Sequence, residues 1–215
     1  MSIITSIKPQ KNPSTSLRAS KRVNIYLDGK FGFGLDLGNF VKLGLKIGQD
    51  LTEKQIEEIV KKDEFQRVYD KILRFGSLRP RSEKEYRDWL RKHRVHESLH
   101  EELFNRLARL DFLNDKKFAS WWVGQRLQFK FKSKRELIQE LRLKGISKDI
   151  IEDILSETQV DEVAVAKKLI YKKKYMWERL DDFSARKKKS EFLARKGFDW
   201  DVINKIIKNN SFEDY

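Results

Sequence analysis

The apolar positions of this chain change their period once. Near the N-terminus, "VNIYLDGKFGFGL" (Val23 to Leu35) places Ile25 and Leu27, then Phe31 and Phe33, at every second position. A period of two is that of a half-buried strand. Asp28-Gly29 between the two runs predicts a hairpin, because a type I′ turn needs positive φ at both central residues. "IITSI" (Ile3 to Ile7) offers a third strand, and "KPQKNPSTSLRASKR" (Lys8 to Arg22) reads as a basic loop. From Thr52 onward the period becomes 3.6, that of amphipathic helices. Thr52 and Gln55 form a T-x-x-Q capping box at the head of "TEKQIEEIVKK".

Three helical segments share one pattern. They are "WLRKHRVHESLHEELF" (Trp89 to Phe104), "ELRLKGISKDIIEDIL" (Glu140 to Leu155) and "FLARKGFDWDVINKII" (Phe192 to Ile207). Leu90, Leu141 and Leu193 coincide, as do Val95, Ile146 and Phe198. So do Leu103, Ile154 and Ile206, without gaps. Coincidence at two near-equal offsets indicates an internal repeat of about fifty residues. In each copy a helix runs to the Leu and is ended by Gly145 or Gly197, with Arg94 in the first copy. A left-handed glycine closes a helix in this way, whereas with Arg94 the turn either carries a conformational cost or uses another geometry. Ser147 and Asp199 then stand where an N-cap would be. Upstream of each segment lies one more helix, "EFQRVYDKILRF", "KKFASWWVGQRL" or "EVAVAKKLIYKKKY".

The predicted fold is therefore mainly α: three tandem three-helix repeats in an elongated array, after a small β-hairpin or three-stranded β extension. The expected boundaries are 1–50 for the β extension, 51–113 for a linker helix and repeat 1, 114–159 for repeat 2 and 160–215 for repeat 3.

Composition narrows the function. The 215 residues include five Trp and 14 Phe, enough apolar bulk to fold despite a charged fraction of 37% and a mean hydropathy of −0.69. Cysteine is absent, which removes disulfides, thiolate nucleophiles and Cys-based zinc sites. No apolar run approaches the length of a membrane span, and "MSIITSIKPQ" is too short-runned for a signal peptide, so a cytoplasmic protein is expected. The net charge of +14 is spread along the chain and points to a polyanionic partner.

Candidate chemistry is sparse. His93, His96 and His100 fall on unlike positions of the repeat, so no metal site is expected. Glu136 and Glu140 read as support for a solvated helix surface. Gly29, Gly32 and Gly34 match no phosphate-loop order; Gly32 and Gly34 suit strand twist or close packing. No catalytic residue and no cofactor is assigned. The suggestive stretch is "WWVGQRLQFKFKSKRELIQELRLK", in which Arg126, Lys130, Lys132, Lys134, Arg135, Arg142 and Lys144 interleave with Phe129 and Phe131. Basic and aromatic residues together suit a phosphate backbone and stacked bases. The aromatics Trp121, Trp122, Phe129 and Phe131 are nevertheless expected to be mainly core. Lys172 to Lys174 and Lys187, Lys188 and Lys189 are weaker candidates, suited to binding without sequence readout.

Several of these stretches carry a resemblance. "RPRSEKEYRDWL" (Arg79 to Leu90), "LARLDFLNDKKFASWWVGQR" (Leu107 to Arg126) and "KRELIQELRLKGISKDIIEDIL" (Lys134 to Leu155) resemble, in this order, the RecX family of recombinase regulators. "NIYLDGKFGFG" and "LKIGQDLTEKQIEEI" resemble the N-terminal extension of its longer members. The chain departs from the family pattern at Asn114, where an acid is common, at Arg94, which replaces a glycine, and in "QFKFKSK", which lacks one. The resemblance implies a monomeric, non-enzymatic protein of recombination, DNA repair and the SOS response. It implies a partner, the RecA filament on single-stranded DNA, with double-stranded DNA as a further ligand. Such proteins lie in the filament groove and restrain ATP hydrolysis, strand exchange and SOS-repressor cleavage. The alternative reading is a non-specific nucleic-acid-binding helical repeat protein without a recombinase partner.

Overall fold

In the computed structural model the N-terminal run forms an antiparallel sheet, and helices follow it. Residues 1–10 and 22–208 are described; most of the basic loop expected from Lys8 to Arg22 lies outside them. The strands are β1 (Ser2–Pro9), β2 (Arg22–Leu27), β3 (Lys30–Asp36) and β4 (Asp50–Leu51), in the order β3-β2-β1-β4. The sheet thus gains a two-residue fourth strand, and β1 extends over Lys8 and Pro9, which the sequence assigned to the loop. Asp28 and Gly29 have φ of +49° and +81°, so the β2–β3 turn is the expected type I′. Asp28 also binds β1: its carboxylate accepts the Ile3 N–H at 2.9 Å. That hydrogen bond leads the causes that hold its pKa below the usual aspartate value. Gly32 is the bulged residue between the pairs Ile25–Phe33 and Tyr26–Phe31. A Cβ there would meet the Leu27 side chain at 2.8 Å, which is the close approach that calls for glycine.

Ile4, Val23, Ile25, Phe33, Leu35, Leu45, Leu51 and Ile59 form the core of this first part. The helices here are α1 (Leu37–Leu43) and α2 (Glu53–Ser77). Thr52 and Gln55 make the predicted reciprocal box: Gln55 Oε1 accepts from the Thr52 N–H and Thr52 Oγ1 from the Gln55 N–H, at 2.8 and 3.2 Å. The linker helix and the first helix of repeat 1 are one continuous α2. Asp63, where they join, is 2% exposed. It accepts from the Asp36 N–H and Asn39 Nδ2 and is ion-paired with Arg22 and Arg67, so its buried charge is satisfied.

The chain divides into two compact units, Met1–Phe75 with His96–Leu103, and Gly76–Val95 with Phe104–Tyr215. The second unit contains α3 (Glu83–Lys92), most of α4 (His100–Arg109), α5 (Asp115–Phe129), α6 (Lys134–Leu143), α7 (Lys148–Thr158), α8 (Glu162–Lys172), α9 (Asp182–Arg195) and α10 (Trp200–Lys208). Helices α5, α6 and α7 share one apolar core that includes Phe118, Trp122, Leu137, Leu141 and Ile151. Helices α8, α9 and α10 share another that includes Leu169, Ile170, Phe192, Leu193 and Ile203.

The three helix ends close as the repeat predicts. The N–H of Val95, Ile146 and Phe198 reaches back to the carbonyl of Leu90, Leu141 and Leu193, at 3.1, 3.1 and 3.2 Å. The residue before each donor is left-handed: Arg94 at φ +52°, Gly145 at +83°, Gly197 at +77°. This is the Schellman closure, and Arg94 adopts it without a glycine. The other two departures from the family pattern also keep the local geometry. Asn114 caps α5 by accepting the Lys117 N–H at 2.9 Å, as an acid would. Phe131, in "QFKFKSK", holds φ +52°, a left-handed conformation that glycine would adopt without strain.

Candidate functional site

Consecutive repeats meet through one recurring joint, and that joint decides which basic residues are available. Ser82 and Ser133 cap α3 and α6, accepting the N–H of Glu85 and Glu136, and both are fully buried. The first N–H of each helix is taken by an acid from the repeat that follows. Asp115 accepts from the Glu83 N–H and Glu162 from the Lys134 N–H, both at 2.9 Å. Against the same helix starts lie the Schellman turns of the following repeat. Lys144 pairs with Glu85 at 2.7 Å, and Lys196 approaches Glu136 at 4.0 Å. Lys84 donates to the Leu143 carbonyl and Ser133 Oγ to the Lys196 carbonyl, both at 2.7 Å. A serine suits this cap because its hydroxyl can accept and donate together, whereas a carboxylate can only accept. The last repeat, which no other follows in the described chain, is capped by the exposed Asp181.

Charge is shifted at these joints. Glu85 is half-buried, which disfavours its anion. The hydrogen bonds from Arg79, at 2.9 and 3.0 Å, and from Lys144 outweigh the burial, so its pKa lies below the usual glutamate value. Asp115 goes the other way: burial raises its pKa despite the bond from Glu83 N–H.

The basic stretch singled out from sequence falls into three groups. The first is internally neutralised. Arg126 Nε donates to Glu140 at 2.6 Å, and Trp122 Nε1 donates to the same oxygen at 2.8 Å. Lys132 pairs with Glu136 at 3.1 Å and Glu140 at 3.4 Å. Arg126 and Lys144 stand over the Trp122 ring, 3.9 and 5.0 Å from its centre. Burial disfavours the Glu140 anion, yet Arg126 and Trp122 hold its pKa below the usual value. Glu136 and Glu140 therefore are not a solvated support; they are the counter-ions of the patch. No acid occurs between Trp121 and Arg135, but α6 folds two of them back underneath. Arg126, Lys132 and Lys144 are held in place by structure.

The second group is available. Lys134, Arg135 and Arg142 are exposed on one face of α6 and have no ion-pair partner among the described residues. They line a groove of about 840 Å3 with Ile138, Leu143 and Asp199. The third group is Lys130, also exposed and unpaired. It lines a second groove, of about 610 Å3, with Phe129, Phe131, Lys172, Lys173 and Tyr175. Lys187, Lys188 and Lys189 sit on α9 and line neither groove. Burial and the nearby Arg186 lower the Lys189 pKa, and Asp182 works against that shift.

The aromatics divide as well. Trp122 is core and Phe131 packs against the core of the third repeat, as expected. Phe129 is 53% exposed, which the sequence expectation missed. Tyr175 at 65% exposed was missed altogether, although "YKKKYMW" carries the same basic-aromatic composition as "QFKFKSK". The histidines face different surroundings: His93 stacks on Trp89, and His96 Nδ1 accepts the Ser98 N–H. Among the described residues no group of three metal-ligating side chains converges, and no helix is long and apolar enough to cross a membrane.

Comparison with known proteins agrees with the repeat. The model of the regulatory protein RecX N-terminal domain matches residues 2–52, that of the RecX second three-helix domain 114–155, and that of the third three-helix domain 160–207. The regulatory protein RecX of Bacillus velezensis is 34% identical over 99% of this chain and 79% of its own length. That of Bacillus subtilis is 33% identical over the same shares. A crystal structure of regulatory protein RecX superposes with a TM-score of 0.65, at 27% identity over 97% of this chain and 100% of the other. That of RecX from Lactobacillus salivarius gives 0.58, at 30% identity over 68% and 96%.

Proposed function

The chain belongs to the RecX family, and on that premise we propose that it binds the RecA filament on single-stranded DNA and restrains its activity. It acts in the cytoplasm as a monomer, laying its repeats in the filament groove and lowering ATP hydrolysis, strand exchange and SOS-repressor cleavage. It does so by occupancy, without a reaction of its own.

One observation carries the reading: the basic stretch splits, so that Lys134, Arg135 and Arg142 are exposed while Arg126, Lys132 and Lys144 serve the fold. Free cations on a fixed helix face suit long-range attraction to a polyanionic assembly. The repeated joint supplies the rigidity, since each repeat is pinned to its neighbour by the same acid–amide bond.

RecA ATPase on single-stranded DNA, with added protein, tests the proposal. Inhibition is expected at stoichiometric ratios, and none in both low and moderate salt would overturn it. A K134E/R142E variant is expected to need roughly tenfold more protein for the same inhibition, two exposed charges being worth about 1.4 kcal/mol together. Its thermal melt should match wild type, because neither side chain holds a joint. Binding to DNA with no effect on RecA beyond competition for it would favour the plain nucleic-acid-binding alternative.

A further inference from the structure

We infer that the groove lined by Phe129, Lys130, Phe131, Lys172, Lys173 and Tyr175 binds single-stranded nucleic acid directly, seating an unpaired base on its exposed rings. The inference rests on reading the basic surface as one that faces nucleic acid, and it requires no recombinase.

The two basic grooves described above differ in what they offer a ligand. The α6 groove presents Lys134, Arg135 and Arg142 among aliphatic side chains and the acids Glu162 and Asp199. It can attract phosphate but has no ring to meet a base. The second groove combines lysines with aromatic faces. Its one acid, Glu136, is already held by Lys132 at 3.1 Å and Lys196 at 4.0 Å, so the groove keeps a positive excess.

The chain also spends stability to build it. Phe131 stands at φ +52°, a left-handed conformation that is strained for a bulky residue. In return its ring reaches from the α5–α6 connection into the third repeat. Lys172 Nζ stands 5.3 Å from the ring centre. That fixes one wall of the groove and leaves Phe129, two residues earlier, exposed at the end of α5. Just past the end of α8, Lys173 Nζ stands 5.5 Å from the centre of the Tyr175 ring, which keeps a cation beside that ring.

Exposed rings flanked by lysines match the chemistry of a single strand, in which each nucleotide supplies a flat face and a phosphate. In a duplex the base faces are stacked on one another, and only the phosphates would be met. An acidic peptide would satisfy the lysines and leave the rings without a flat partner.

The test is anisotropy of the full-length protein with dye-labelled oligo(dT), with an abasic oligomer of equal phosphate number, and with duplex. A F129A/Y175A variant is expected to lose about tenfold in affinity for oligo(dT) and less than twofold for the abasic chain, with its salt slope unchanged. A Y175F variant should bind as wild type. A K130A/K173A variant should weaken both single-stranded ligands alike and flatten the salt dependence by roughly one slope unit. Equal loss on oligo(dT) and abasic chain, or no loss, would overturn the inference. So would polyglutamate competing as well as oligo(dT), the result expected of an acidic protein partner. Circular dichroism melts of each variant separate unfolding from lost contact. The RecA ATPase assay is independent. Inhibition that survives F129A/Y175A with unchanged oligo(dT) binding removes only the base site. Ring-dependent binding without inhibition removes only the recombinase reading.

Discussion

Two helix ends in this protein make the same hydrogen bonds around different residues. At Leu90–Val95 the left-handed position is Arg94; at Leu141–Ile146 it is Gly145. Backbone conformation alone therefore does not demand glycine, since an arginine adopts it. The difference is what stands over the Cα. A Cβ on Gly145 would lie 2.9 Å from the Lys84 Cβ, and one on Gly197 would lie 3.3 Å from the Arg135 Cβ. Arg94 is exposed. Glycine is required where a preceding three-helix repeat lies against the turn, and the first repeat has none before it.

The largest expected effect comes from filling that space. Gly145→Ala adds left-handed strain of about 1–2 kcal/mol and an overlap with a Cβ that cannot swing away, together about 3 kcal/mol. Gly197→Ala has the same strain but looser contacts, and should cost about 2 kcal/mol. Thermal melts resolve the two, at about 2–4 °C per kcal/mol for a chain of this length. Equal losses would show that strain alone matters and that the close approach at Gly145 contributes nothing.

Next in size is the ion-pair side of the joint. Glu85 accepts from Arg79 and Lys144, and its folded pKa lies below the ordinary 4.5. A carboxylate with a depressed folded pKa contributes stability that is complete above the unfolded value and lost as pH falls through the folded one. Glu85→Gln should therefore cost about 2 kcal/mol at pH 7. The gap from wild type should hold down to about pH 4.5 and narrow below it. Denaturant unfolding at pH 7 and pH 3 measures both; a gap that is constant across that range would remove the charge from the account.

The repeat was legible because its signals are local. A leucine, a left-handed residue and a hydrophobic C″ position lie within six residues, and Ser147, expected as a cap, binds the Ile150 N–H three residues on. The basic patch was only half legible because most of its ion pairs are not local, Lys132 with Glu136 excepted. Arg126 meets Glu140 on a different helix, and Lys144 meets Glu85 in a different repeat. Sequence composition showed the cations of "QRLQFKFKSKRE" and could not show which of them the fold would neutralise. The fourth strand escaped for the opposite reason: Asp50–Leu51 is too short to carry a period.

The smallest effect tests the comparison from its other side. If Arg94 stands in a left-handed position only because nothing approaches it, then glycine there should relieve strain and disturb no joint. Arg94→Gly removes a left-handed cost of about 1–2 kcal/mol. It returns about half of that through the greater freedom of the unfolded chain. The net expectation is a gain of up to about 1 kcal/mol, read as a melt raised by a few degrees. RecA inhibition should stay at the wild-type level, since Arg94 lies outside both grooves. A destabilised R94G would mean that the arginine side chain itself holds the first turn, and the contrast with Gly145 would then be one of side-chain contacts, with the exposure of Arg94 irrelevant.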